Sequence, residues 1–165
     1  MKKYCSILPA LLVVASFVLS CSSSAPAAGG QTTTSIATAI DSSDWTFIVD
    51  QVRAQEGMSR QPNGTYSVIY KPKKLNVYLP YFGRAYSGAE VFQGKSALDF
   101  VSTDFVVQTA SKEAGQWRLV FKPNDQRQVQ SMSFTVFSNG TASLDVIMTN
   151  RSPMSFSGRI SPSRK

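Results

Sequence analysis

Histidine is absent from this 165-residue sequence, which excludes the serine and cysteine triads that move a proton through imidazole and the zinc sites built on it. Cysteine is almost absent. Of the two present, Cys5 sits inside an N-terminal leader and Cys21 is then alone, so the rest of the chain has no intramolecular disulfide even in an oxidising compartment. The folded part must be held by packing. The apolar run at residues 7–19 is only 13 long, short of the ~20 residues a membrane-spanning helix needs. No glycine-rich phosphate loop, acidic metal loop or paired-cysteine motif occurs, so no cofactor and no metal are expected.

What is present at the N-terminus has the form of an address. Lys2 and Lys3 precede the 13 apolar residues, and Val18-Leu19-Ser20-Cys21 has the form of the small-residue box that ends a bacterial lipoprotein signal, with Val where Leu is commoner. Residues 1–20 are therefore expected to be a signal peptide and Cys21 the lipidated first residue of the mature chain. An ordinary secretory signal with a chance cysteine is the alternative. It is weakened by the small, uncharged stretch from Ser22 to Gly30, which cannot bury a core and behaves as a flexible tether. The 14 residues from Ser22 to Ser35 reach roughly 20 Å as a coil and about 45 Å fully extended. Two or more acyl chains on Cys21, palmitate-like and worth ~0.8 kcal/mol per buried methylene, would make the anchorage permanent.

Removing the leader lowers the net charge from +7 to +5, leaving 15 basic against 10 acidic residues. A mildly basic surface suits anionic partners, but the charges are scattered, and the exported address disfavours nucleic acid. Residues 21–43 are read as tether plus a short helix, with Ile36, Ala37, Ala39 and Ile40 patterned over 35–42, and residues 44–165 as one β-rich domain.

Residues 45–52 are ambiguous. Trp45, Ile48, Val49 and Val52 fit a helical face, whereas Trp45, Phe47 and Val49 alternate as in a strand, and the β-branched and aromatic content favours the strand. After residue 64 the pattern is β throughout. Tyr70 opposite Leu75 makes one face of a first hairpin apolar, across a four-residue loop at 71–74 in which Pro72 presets a type I turn. Phe105, Val107 and Thr109 face Trp117, Leu119 and Phe121 across a loop at 112–115. A third hairpin turns at 138–140, because only a three-residue loop aligns Met132 with Val146, Phe134 with Leu144 and Val136 with Ala142, which requires positive φ at Gly140. A last strand follows at 154–160. The expectation is a mainly β domain, an antiparallel meander of seven to nine strands forming a barrel or strongly curved sheet, with a short N-terminal helix.

One segment is unusual: Leu79-Pro80-Tyr81-Phe82-Gly83-Arg84-Ala85-Tyr86, three aromatics around a glycine and an arginine. As a recognition loop, Tyr81, Phe82 and Tyr86 offer flat amphipathic surfaces and Arg84 a fork for carboxylate or phosphate. As a structural element, the rings plug one end of the barrel while Arg84 stacks or bonds backbone. Glu90, Asp99 and Asp104 are the carboxylates a hydrolase would use, but no spacing pairs them. Asn63-Gly64-Thr65 and Asn139-Gly140-Thr141 read as turns rather than glycosylation sites.

The same 79–86 stretch, with the segment from Trp45 to Val49, Gly57, residues 140–144 and residues 155–158, resembles a family of Bacteroides-type lipoproteins catalogued as domain of unknown function 4251. The resemblance runs from about Trp45 to Ile160 and implies an envelope lipoprotein with no stated activity. Ser87-Gly88-Ala89 is shorter than the Gly-rich loop that the family has there. In Gram-negative lipoproteins an Asp after the lipidated cysteine favours inner-membrane retention, and acidic runs favour surface display in this group. Ser22, and the lack of any acid before Asp41, therefore predict the periplasmic side of the outer membrane. The expected role is a non-enzymatic binding module, anchored through Cys21, for a small molecule, glycan or envelope protein, with Tyr81, Phe82, Arg84 and Tyr86 as its site. The alternatives are an accessory protein that holds a partner by a sheet edge and a carboxylate-dependent hydrolase.

Overall fold

The computed structural model describes residues 33–54, 59–62, 65–86, 96, 98–113 and 115–163; the expected leader, Cys21, the expected tether, Gly57, Asn63, Gly64, residues 87–89 and Glu90 lie outside them. Among the described residues one helix, α1 (Thr33–Asp41), precedes ten strands: β1 (Trp45–Ala54), β2 (Ser59–Arg60), β3 (Ser67–Lys71), β4 (Lys74–Leu79), β5 (Leu98–Ser102), β6 (Phe105–Glu113), β7 (Gln116–Pro123), β8 (Val129–Phe137), β9 (Thr141–Met148) and β10 (Met154–Pro162). Nine form one antiparallel path, β5-β4-β3-β1-β10-β9-β8-β7-β6, and the two-residue β2 adds to β1. The expected mainly β, antiparallel barrel or strongly curved sheet with one short helix is observed, as a nearly closed barrel of nine strands with β2 added. The meander is interrupted between β5 and β6, which lie at opposite ends of the path, and the first strand β1 lies between β3 and the last strand.

Alternation decided the registers. Tyr70 pairs with Leu75, and Met132, Phe134 and Val136 pair with Val146, Leu144 and Ala142, as a buried apolar face demands. Gly140 has φ +85°, and its N–H donates to the Phe137 carbonyl at 2.9 Å. Gly140→Val forces a β-branched residue into the left-handed region and is expected to cost about 2 kcal/mol, with Gly140→Asn costing less than half of that, as read by chemical denaturation. Loop lengths follow the pattern less closely. Lys71 and Lys74 still pair, so the first turn has two central residues, and Lys73 at φ +66° gives it type II rather than type I character. The β6–β7 loop is also two residues, not four: a bulge between Thr109 and Ser111 absorbs one residue and pairing continues to Glu113 and Gln116.

The ambiguity at residues 45–52 has a structural cause. Trp45, Phe47 and Val49 are buried in strand alternation, and Val52 is buried three positions later because a bulge at Asp50 inserts one unpaired residue against β10. That extra residue reverses the inside-outside parity of the rest of β1 and imitates a helical spacing.

The barrel nearly closes through a corner. β5 pairs with β4 and β6 with β7, yet only Thr103 and Asp104 separate them, so one bent strand changes partners. Asp125 holds that corner: its carboxylate accepts from Ser102 Oγ at 2.6 Å, Thr103 N at 2.9 Å and Asp104 N at 3.4 Å. Partial burial works against its charge, but these three donors outweigh it and hold the carboxyl below its ordinary 3.8. A lowered folded pKa stabilises above the unfolded value and is lost as pH falls through the folded one. Asp125→Ala is therefore expected to cost about 1 kcal/mol at pH 7, since buried Ser102 Oγ loses its nearest partner, and the gap from wild type should narrow when denaturation is repeated below pH 3.8.

The interior is an edge-to-face ring cluster. Trp45 meets Phe134, Tyr70 and Phe121 at centroid distances of 5.1, 5.4 and 6.0 Å, and Phe47 meets Phe134 at 5.5 Å. The barrel centre is thus packed with side chains. α1 buries Ile36, Ala39 and Ile40 in the same core, so the helix, grouped with the tether on sequence, belongs to the folded unit of residues 31–165.

Candidate functional site

Residues 80–86 leave the end of β4 and cross to the connection between β9 and β10, forming a strap. A bridge pairs Ala85 with Arg151. The Tyr86 N–H donates to the Asn150 carbonyl at 2.8 Å, and the Ser152 N–H to the Arg84 carbonyl at 3.0 Å. Asn150 takes φ +57°, a conformation asparagine tolerates, to make the turn that receives the strap.

Tyr81 is the internal fastener. Its hydroxyl donates to the Arg84 carbonyl at 2.8 Å and lies 3.3 Å from the Ser152 carbonyl. Its ring covers Gly83, where a Cβ would come within 2.5 Å of Oη. Burial raises the Tyr81 pKa above 10, with Arg151 and the Ser152 contacts offsetting part of the rise, so the phenol stays protonated and remains a donor. Arg151 stacks on the same ring at 5.3 Å. Ser152, itself buried, sits under the strap with Oγ 3.3 Å from Arg84 N and 3.2 Å from Tyr86 Oη.

The four sequence candidates therefore divide. Tyr81 is half-buried and spans the strap, while Arg84 is exposed and Phe82 and Tyr86 keep 45% and 54% of their surface open. Arg60 of β2 stacks over Phe82 at 5.7 Å. Part of the segment is thus packed against the barrel and part is exposed, and different residues do each. Sequence reading missed Arg60, Arg151 and Ser152: they lie in chain segments distant from the strap, and nothing in their local sequence signals the approach. Asp99 pairs with Tyr78 in β5 and Asp104 accepts from Asn124 Nδ2 at 2.9 Å in the corner, each with a local place in the sheet; Glu90 is outside the described residues.

Position along the barrel matters. Arg60 pairs with Val52, and Arg151 precedes Met154, the partner of Ala54. The strap thus lies at the end of β1 away from α1, on the order of 30 Å along this strand.

A search of curated proteins finds no match. Among solved structures the chain resembles a DUF4251 family protein from Bacteroides eggerthii DSM 20697, with a TM-score of 0.57 and 13% identity over 79% of this chain and 87% of that one. That likeness concerns the fold. The model of the family described as "Domain of unknown function (DUF4251)" matches residues 27–160, and to that family this chain belongs.

Proposed function

We propose that the chain is a lipid-anchored envelope protein, held at Cys21 to the periplasmic face of the outer membrane, that binds rather than catalyses and uses the strap as its recognition surface. The observation that carries this reading is that Phe82 and Tyr86 remain 45% and 54% exposed on a segment whose backbone is fastened at both Tyr81 and Ser152. Large exposed rings on a rigid support lose little conformational entropy on contact, which is what recognition surfaces exploit. With Arg84 exposed beside them, the matching ligand is flat or apolar on one side and carries a carboxylate or phosphate.

The test separates support from recognition. Phe82→Ala combined with Arg84→Ala is expected to abolish capture of the component that the wild-type chain retains from its own envelope, while Tm moves by less than about 2 °C. Tyr81→Ala is expected to lower stability by about 2 kcal/mol, because the phenol donor to the Arg84 and Ser152 carbonyls is lost and the ring leaves a void. If the double variant melts as early as Tyr81→Ala, the exposed residues are structural and the reading fails.

A further inference from the structure

On the outer face of β1, β10 and β9 lies an open groove of about 190 Å³, lined by Gln51, Arg53, Ser59, Ser143, Asp145, Ser155 and Ser157, with Phe156 at its floor. Its construction is specific. Ser143 pairs with Ser157 and Asp145 with Ser155 across the β9–β10 ladder, so small side chains form a shallow base between taller walls. Serine packs poorly on the pleated face of a central strand, and such adjacent positions contribute little to the sheet.

The taller wall exists because of the bulge at Asp50. Gln51 and Arg53 have the sequence parity of Trp45, Phe47 and Val49, and without the extra residue they would point into the core. The register shift between Val49 and Gln51 turns them outward, onto the groove. Ser59 reaches the same groove through the pairing of β2 with Arg53. The Ser155 hydroxyl donates to Asp145 Oδ1 at 2.6 Å and orients that carboxylate. Asp50 itself is engaged elsewhere, with Arg159 at 3.2 Å.

We propose that this groove is a binding site for a neutral saccharide. One carboxylate, one guanidinium, one amide and four hydroxyls give a dense array of donors and acceptors in a space suited to a single sugar ring. Paired ring hydroxyls are matched by such groups, the carboxylate accepting two O–H donors and the guanidinium or amide donating back. Asp145 disfavours phosphate or sulfate, which has no proton to give it, and the balance of one positive and one negative side chain removes any net pull on an anion. The groove faces outward from the sheet, whereas the strap crosses the barrel end, so the two sites stand or fall separately.

The experiment uses the full chain in detergent that carries no sugar headgroup, titrated with maltotriose, N,N′,N″-triacetylchitotriose and, as an anionic comparison, inorganic phosphate, by saturation-transfer NMR and calorimetry. At least one trisaccharide is expected to bind in the millimolar range or tighter, and phosphate is not. Ser143→Val with Ser157→Val fills the base with better strand formers; it should weaken saccharide binding at least tenfold while Tm holds or rises. Asp145→Asn should weaken binding several-fold without unfolding. The proposal is overturned if neither trisaccharide binds, if phosphate competes, or if the filled variant binds as well as the wild type.

Discussion

Gly158→Ala is expected to lower the Tm by roughly 10 °C, corresponding to about 3 kcal/mol for a domain of this size. Gly158 faces Val49 beside the Asp50 bulge, and a Cβ built there meets the backbone carbonyl of Ile48, with the Ile48 carbonyl carbon and Val49 Cα at 2.9 and 3.1 Å. These are backbone atoms of the neighbouring strand, which no rotamer change can move aside. Relief requires β1 and β10 to separate, which breaks hydrogen bonds of the ladder that joins the two halves of the sheet. Thermal unfolding by circular dichroism checks the size of the effect. A second readout is local: hydrogen exchange should rise first in β1 and β10, and a uniform rise across the barrel would contradict the assignment to this contact.

Trp45→Ala is the other large effect, about 4 kcal/mol from the void left by a fully buried indole. Trp45 is where rings contributed by β3, β7 and β8 converge, so its loss removes the contact that ties β1 to the far side of the barrel. Trp45→Phe provides the control. It keeps a ring in place and removes a buried Nε1–H that has no hydrogen-bond partner among the described residues, so less than half of the loss is expected. Denaturant midpoints of the two variants decide between ring packing and any role of the indole nitrogen. Equal losses would mean that the nitrogen has a partner.

The candidate site was legible in part. Aromatic density at residues 79–86 marked the segment, in which Tyr81 is half-buried while Phe82, Arg84 and Tyr86 are exposed. The division between Tyr81 on one side and Phe82, Arg84 and Tyr86 on the other depends on where the β9–β10 connection lies. Arg151 and Ser152 are about 70 positions along the chain, and their contact with the strap is a product of closure. The groove was not legible at all. Gln51 and Arg53 follow Val49 in alternation and read as core-side positions, and only the bulge reverses them.

Local alternation determined which residues are strand and which face is buried, because the pleat has a period of two and an apolar face tolerates one register only. That logic placed Tyr70 on Leu75 and Phe134 on Leu144 from residues less than about a dozen apart. The sequence also determined the absence of imidazole chemistry. Tertiary structure alone decided the position of β1 between β3 and β10, the bulges at Asp50 and near Ala110, and the corner that Asp125 clamps. Each depends on the curvature and closure of the whole sheet, a constraint among strands far apart in the chain to which no local hydrophobic pattern responds.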